Sequence, residues 1–448
     1  MTILQINTGD TAWVLVSSAL VLLMTPALAL FYGGMVRSKS VLNMMMMSFV
    51  TIGLVGVLWV LYGFSMAFGN SVGGMVGDPT QFPGLANLMD AEVGTVPALV
   101  FVGFQAAFAI IAVALVSGAV DGRMKFSAWC LFVVIWATVV YFPAAHWVFA
   151  FDGVVSERGG FVANSIQAID FAGGTAIHIN AGAAALALAI VLGPRIGFGK
   201  VPMRPHNLTL VMLGAALLWF GWFGFNAGSA LGATELAGLA WVNTLAAPAA
   251  AMLAWLGTER VRDGHATTLG AASGIVAGLV AITPAAAVVT PLGAIVLGAL
   301  AGVGCSMALS LKYRFGYDDS LDVVGVHLVG GLIGTLAIGL LADGSLTGSP
   351  DTAGLLFGGG VAQLGRQAVG AGVVLAYSFI VTWLIAQALK RTIGLRVATG
   401  AETGGVDLAE HAEVGYDLSR AQYSSYHIRK TLWLPAERGR DAEEGVSA

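Results

Sequence analysis

The sequence predicts an all-α polytopic membrane protein: eleven transmembrane helices, built as a five-plus-five inverted repeat with a final additional helix. Three observations predict it. Of 448 residues, 57% are hydrophobic and only 10% are charged, whereas a water-soluble domain carries about a quarter charged residues. Apolar runs of about 20 residues, the length that crosses the hydrocarbon core of a bilayer, recur eleven times along the chain. Lys and Arg fall in alternate connections between those runs, as they do when one side of the membrane retains positive charge.

The runs cover 11–34, 41–68, 97–119, 127–150, 170–193, 207–230, 236–257, 267–284, 289–311, 323–342 and 369–391. Alternate connections hold Arg37 and Lys39; Arg123 and Lys125; Arg195, Lys200 and Arg204; Arg260 and Arg262; and Lys312 and Arg314. Lys390, Arg391 and Arg396 follow the last run, and the intervening connections contain only Arg158 and Arg366. One span more or fewer would break this alternation. The expected topology therefore has the N-terminus outside and the C-terminus in the cytoplasm, with the chain in the cell inner membrane. No Lys or Arg precedes the first run, so it reads as a spanning helix rather than a cleaved leader. The 61 glycines suit close helix approach inside a bilayer. Cys130 and Cys305 lie inside apolar runs and read as buried thiols. A net charge of −4 argues against a nucleic-acid partner. No nucleophile–base pair, metal-ligand cluster or nucleotide loop is present, so neither an enzyme nor a cofactor is expected.

Two segments carry the repeat. Asp170-Phe-Ala-Gly-Gly-Thr-Ala-Ile-His178 opens the fifth run and Asp319-Ser-Leu-Asp-Val-Val-Gly-Val-His327 opens the tenth. Each places a histidine eight residues after an aspartate, about 12 Å deeper at the helical rise. Runs five positions apart cross in opposite directions, which is the pattern of an inverted-topology repeat with its site near the midplane. The aspartates suit helix N-capping, and Asp170 could also supply negative potential beneath a cation site. A histidine inside a membrane is costly and marks a pathway. Phe104 and Phe108, four residues apart, share one helix face. His146 and His206, near helix ends, read as structural.

Several stretches resemble the ammonium transporter family (Amt/Mep, with the Rhesus proteins as more distant relatives), in its bacterial Amt form. They are Phe31-Tyr-Gly-Gly-Met-Val-Arg37, Phe104-Gln-Ala-Ala-Phe108, Asp170-Phe-Ala-Gly-Gly-Thr-Ala-Ile-His-Ile-Asn180, Pro205-His-Asn-Leu208, Gly221-Trp-Phe-Gly-Phe-Asn-Ala-Gly-Ser229 and Asp322-Val-Val-Gly-Val-His327. The resemblance implies a homotrimer with one pore per subunit. It implies an outer ammonium site at Phe104, Phe108 and Ser229, a gate of Phe108 stacked on Phe225, and a lumen lined by His178, His327 and Trp222. Asp170 would be the electrostatic and structural acid under that site, and Trp222, Asn226 and Thr283 would help line or brace the pathway. Ammonium would be held by cation–π attraction and N–H hydrogen bonds, lose a proton, and pass the greasy lumen as NH3, with net charge movement. Bacterial relatives usually carry Trp at the end of the motif Pro143-Ala-Ala-His146-Trp-Val-Phe149, where this chain has Phe149. A phenyl ring binds a cation less well than an indole, so weaker outer-site affinity is expected.

Residues 1–396 form the expected transmembrane domain and 397–448 a cytoplasmic tail. The stretch Gly405-Val-Asp-Leu-Ala-Glu-His-Ala-Glu-Val-Gly-Tyr416 is similar to the family's tail, with departures at Val406, Ala412 and Gly415. In bacterial relatives this region faces a PII-type (GlnK-like) regulatory protein, which the resemblance implies as a partner besides membrane lipid. Asp417 onward, including Arg429, Lys430 and Trp433, extends past the resemblance. Two other functions compete with transport: an ammonium sensor signalling through its tail, and a Rhesus-like channel for neutral NH3 or CO2.

Overall fold

The computed structural model describes residues 5–416; the stretch containing Arg429, Lys430 and Trp433 lies outside the described residues. Among the described residues, eleven helices are long and apolar enough to cross a membrane: α1 Thr8–Met35, α2 Val41–Phe68, α3 Ala98–Ala119, α4 Phe126–Phe149, α5 Gly174–Leu192, α6 Leu208–Gly228, α7 Glu235–Asp263, α8 Thr268–Ala285, α9 Pro291–Phe315, α10 Val324–Leu341 and α11 Ala362–Thr392. They are the eleven expected runs. Two short helices, α12 Thr399–Gly404 and α13 Val406–His411, follow. Two small antiparallel strand pairs, Ser71–Val72 with Val76–Gly77 and Glu92–Val93 with Val96–Pro97, lie in the connection between α2 and α3.

Some boundaries move, each for a physical reason. α5 begins at Gly174 rather than at residue 170, because the Asp170 side chain occupies the hydrogen-bonding positions of the preceding turn. α11 begins at Ala362 rather than at 369. Its extra first turns bury Gln367, whose amide exchanges two hydrogen bonds with the backbone of Ile169. α7 continues past 257 to Asp263, and its buried Glu259 accepts from the Thr267 backbone and hydroxyl.

Without water to drive helices together, close approach decides packing. On α6, a Cβ at Gly214 would sit 2.4 Å from the Phe31 nitrogen, and one at Gly221 or Gly224 would strike Met24 or Leu20 of α1. On α9, Gly298 and Gly302 let the α7 backbone at Ala247 and Ala251 come equally near. α5 meets α10 through Gly182, where a Cβ would stand 2.5 Å from the Leu328 nitrogen. This crossing brings the two repeat segments together.

The basic connections gather at one end of the bundle and are tied to the chain after α11. Arg123 is completely buried and donates to the carbonyls of Gly193 and Asp318 and to the Ser320 hydroxyl. Burial draws its guanidinium down to about 10 and pushes the neighbouring Asp121 carboxyl up to about 6, the latter opposed by Arg195, Arg37 and Arg123. Burial also raises the Asp318 carboxyl, but the hydrogen bonds and charge of Arg195 outweigh it and hold the group below its ordinary value.

Residues 395–416 supply what two helix ends lack. Ser40 and Lys125, the N-cap residues of α2 and α4, make no side-chain cap. Asp407 instead accepts from the amides of Leu42 and Asn43, at 3.1 and 2.8 Å, and Glu410 accepts from the amide of Phe126 at 2.9 Å. Glu402 pairs with Arg396 and accepts from the Ile196 amide. An N-cap is worth about 0.5–2 kcal/mol. The double substitution Asp407→Ala/Glu410→Ala is therefore expected to release this segment, read as faster limited proteolysis between 397 and 416 with the helical bundle intact. Unchanged cleavage would show that the two carboxylates do not hold it.

Candidate functional site

The site runs along the contact between the repeat halves. Both predicted histidines sit in π-helical turns, His178 within Gly174–Ile179 and His327 within Val324–Leu328. Such turns inside helices are frequent at functional positions. Each turn is entered through a residue of positive φ, Gly173 at +119° and Asp322 at +64°. A side chain at Gly173 would also collide with Ile177. The repeat is also exact in its capping bond: the amide of Thr175, five residues after Asp170, donates to Asp170 Oδ2, and the amide of Val324, five after Asp319, donates to Asp319 Oδ2.

The halves then diverge. Asp170 accepts four backbone N–H bonds, from Gly173, Gly174, Thr175 and Ala176, at 2.7 to 3.0 Å. Asp319 keeps one carboxylate oxygen without a partner among the described residues, and Lys312 bridges its carbonyl to the Asp322 carboxylate. Both aspartates therefore act as caps, Asp170 far more completely.

His178 Nδ1 and His327 Nδ1 lie 3.2 Å apart, with the rings inclined by 25°. A hydrogen bond between two Nδ1 atoms needs one donor and one acceptor, so it forms between neutral rings only when they hold opposite tautomers. The Nε2 of His178 is buried and has no hydrogen-bond partner among the described residues, and both histidines line a narrow internal cavity. The surrounding wall is apolar, made by Met24, Leu28, Ile111, Leu115, Ile177, Leu218 and Val276 with Trp222 and Phe225. Only about 10 Å³ is open to the centre of a water-sized molecule, about what one water requires. Trp222 stacks on His178 at 5.5 Å and donates its indole N–H to Thr283 Oγ1. Thr283 thus braces Trp222, Asn226 bonds Thr244, and neither lines the cavity beside the histidines, a point the sequence leaves open.

Phe108 and Phe225 stack at 4.3 Å with an interplanar angle of 17°, and both are almost wholly buried. Above them, at the end opposite the basic connections, opens a cavity of about 540 Å³ lined by Phe104, Phe108, Phe149, Ser229 and Asp170, among others. Phe104 tilts on Phe108 at 4.8 Å. The Ser229 hydroxyl donates to the Phe225 carbonyl at 2.9 Å, which leaves its lone pairs to accept from a guest. Phe149 faces this cavity, whereas Trp147 is buried, donates to the Met75 carbonyl and packs on Phe161 and Tyr377. Two residues of rotation on the same helix separate their directions, as the helical repeat requires.

The predicted site residues therefore fall along one path: Phe104, Phe149, Ser229 and Asp170 in the cavity, Phe108 and Phe225 at its floor, His178, His327 and Trp222 below. The aliphatic wall was missed because leucine, isoleucine and methionine at these positions look like any bilayer-facing residue. Arg158 and Arg366, which sequence reading treated only as topological exceptions, also line the cavity. His146 bonds the Ala67 carbonyl and Ser71 hydroxyl, and His206 the Val36 carbonyl and Tyr416 hydroxyl, both away from this path. Among the described residues no group of three or more His, Cys, Asp or Glu is placed to hold a metal.

Comparison with known proteins agrees with this architecture. The profile of the Ammonium Transporter Family matches residues 12–416. An ammonium transporter of Mycobacterium tuberculosis strain H37Rv is 61% identical over 95% of this chain and 93% of its own length. One from Corynebacterium glutamicum is 46% identical, over 92% of this chain and 90% of its own. Among solved structures, Candida albicans Mep2 superposes with a TM-score of 0.81 at 33% identity, over 88% of this chain and 87% of its own. One described as Sensor Amt Protein gives a TM-score of 0.83 at 30% identity, over 90% of this chain and 98% of its own. With a profile match across the bundle and relatives this similar over nearly their full lengths, the chain belongs to the ammonium transporter family, whose members are transporters rather than enzymes.

Proposed function

We propose that this protein carries ammonium across the cytoplasmic membrane by holding NH4+ in the aromatic vestibule, stripping one proton, and passing NH3 through the histidine-lined lumen with net charge movement. The observation that carries this reading is the imidazole pair at 3.2 Å lying below the stacked pair Phe108 and Phe225. In the vestibule, ring faces attract a cation and Ser229 accepts an N–H. Asp170, at the vestibule wall, adds negative potential while its four amide bonds hold it in place. At the floor a bare ion would be desolvated at large cost, whereas neutral ammonia passes cheaply. Potassium has no proton to lose and is stopped there.

The vestibule lies outside and the basic end in the cytoplasm, because Arg37, Arg123, Arg195 and Arg396 all gather at the opposite end from it. The assembly is a homotrimer with one pore per subunit. The segment 397–416 belongs to a cytoplasmic tail, and its docking against the connections around the exit supports regulation there by a PII-type partner.

Ammonium jumps applied to proteoliposomes, with potassium as control, test the transport reading. An ammonium current without a potassium current is expected. Equal currents for both ions would overturn it, and an ammonia flux without current would instead favour the neutral-gas channel. Phe149→Trp should lower half-saturating ammonium by about two- to fivefold, the equivalent of about 0.5–1 kcal/mol of cation–π attraction. An unchanged value would remove Phe149 from the binding site.

A further inference from the structure

Arg158 and Arg366 are the only basic residues in the connections and helix ends on the vestibule side between α1 and α11, and both line the vestibule. They come from distant parts of the chain, one from the connection between α4 and α5, the other from the first turns of α11. Neither guanidinium forms an ion pair among the described residues. Arg366 donates to the Asp351 carbonyl at 3.4 Å and to Gln363 Oε1 at 3.3 Å, both neutral acceptors.

Two carboxylates share the cavity lining with them, and neither pairs with a guanidinium among the described residues. Asp170 lines the same cavity, and its carboxylate, fixed by four backbone amides, attracts a cation while the two arginines repel it. Asp351 is the other carboxylate lining the cavity, and it is exposed to solvent. Asp152 and Glu157 lie on the same connection as Arg158, outside the lining, with Asp152 accepting from the Gly159 amide. A vestibule built to attract a cation thus carries two permanent positive charges on its rim. Arginine stays protonated at any relevant pH, so the effect does not depend on pH.

We propose that Arg158 and Arg366 act together as an electrostatic brake on ammonium capture, raising the concentration at which the vestibule fills and making that concentration depend on ionic strength. The inference rests on the reading of the vestibule as a cation site. Charges on a cleft rim change the local concentration of an ion, and exposed charges are screened over about 8 Å at physiological salt. The brake therefore weakens as salt is added. Together with Phe149, it sets this vestibule toward capture at higher ammonium.

The test uses the full-length protein in neutral phosphatidylcholine vesicles, with initial ammonium currents measured against concentration at about 10 mM and about 500 mM sodium chloride. Arg158→Gln/Arg366→Gln is expected to lower half-saturating ammonium about two- to fivefold in low salt. It should approach wild type in high salt, and Arg158→Glu/Arg366→Glu should shift it further in the same direction. Wild type itself should fill at lower ammonium as salt rises. A Ser229→Ala protein runs in parallel and should bind more weakly at both salt levels. If Ser229→Ala weakens capture while the arginine variants match wild type in low salt, or differ from it equally at both salt levels, the brake is overturned and the vestibule reading stands. If Ser229→Ala leaves capture unchanged, the vestibule reading fails and the brake falls with it.

Discussion

Replacing His178 and His327 together by alanine is expected to cut ammonium flux at least about tenfold. Ammonia leaving water for an apolar tube gives up its hydrogen bonds, and the two imidazoles are the polar side chains at the centre of the lumen. Losing hydrogen-bonding partners there costs about 1 kcal/mol or more for each bond forgone, and about 1.4 kcal/mol is a factor of ten in rate. The substitution also enlarges a lumen that now has room for about one water. If width alone limited passage, flux would rise instead. Stopped-flow measurement of internal pH after an ammonium gradient separates the outcomes. Near-wild-type flux would place the pathway elsewhere. Single variants should be informative in a different way, since His178→Ala leaves the Nδ1 of His327 without its partner at 3.2 Å.

Asp170→Ala should have the larger effect on folding. It leaves four buried amides, those of Gly173, Gly174, Thr175 and Ala176, without an acceptor at the start of α5. At roughly 1 kcal/mol for each unmade bond, the loss is on the order of 4 kcal/mol. That is a large part of the marginal stability of a typical fold. The expected result is a protein with a sharply lowered Tm in detergent and little transport. Asp170→Asn keeps one oxygen acceptor and places an N–H donor against two amides, so it should retain part of the stability. If Asp170 contributes charge to ammonium capture as well as capping, the Asn variant should also fill at higher ammonium. A protein of wild-type Tm and affinity would contradict both roles. The corresponding change at Asp319, whose best-formed amide bond is the one from Val324, should cost less.

Much of this was legible from the residues. Hydrophobic run length and alternating Lys/Arg determined eleven spans because the bilayer imposes both. The eight-residue interval from Asp170 to His178 and from Asp319 to His327 pointed to equivalent positions in opposed halves. The start of α5 was placed too early, because an apolar count does not register an aspartate that folds back on its own amides. The start of α11 was placed too late, since Gln363 and Gln367 read as polar loop until their partner, the backbone at Ile169, is brought beside them.

By itself, then, the sequence determined the helical class and the number of spans from composition and periodicity, and the twin histidines from their repeated spacing after an aspartate, while the resemblance to the family supplied most of the aromatic candidates. Only the tertiary structure decided that the two imidazoles touch through Nδ1, that both ride on π-turns, and that Trp147 points away while Phe149 faces the vestibule. It also decided that Asp407 and Glu410 cap helices more than 280 residues earlier in the chain, and that Arg158 and Arg366 line one cavity. These are contacts between segments far apart in the chain, set by the close crossing of glycine-faced helices, and no local pattern of residues encodes them.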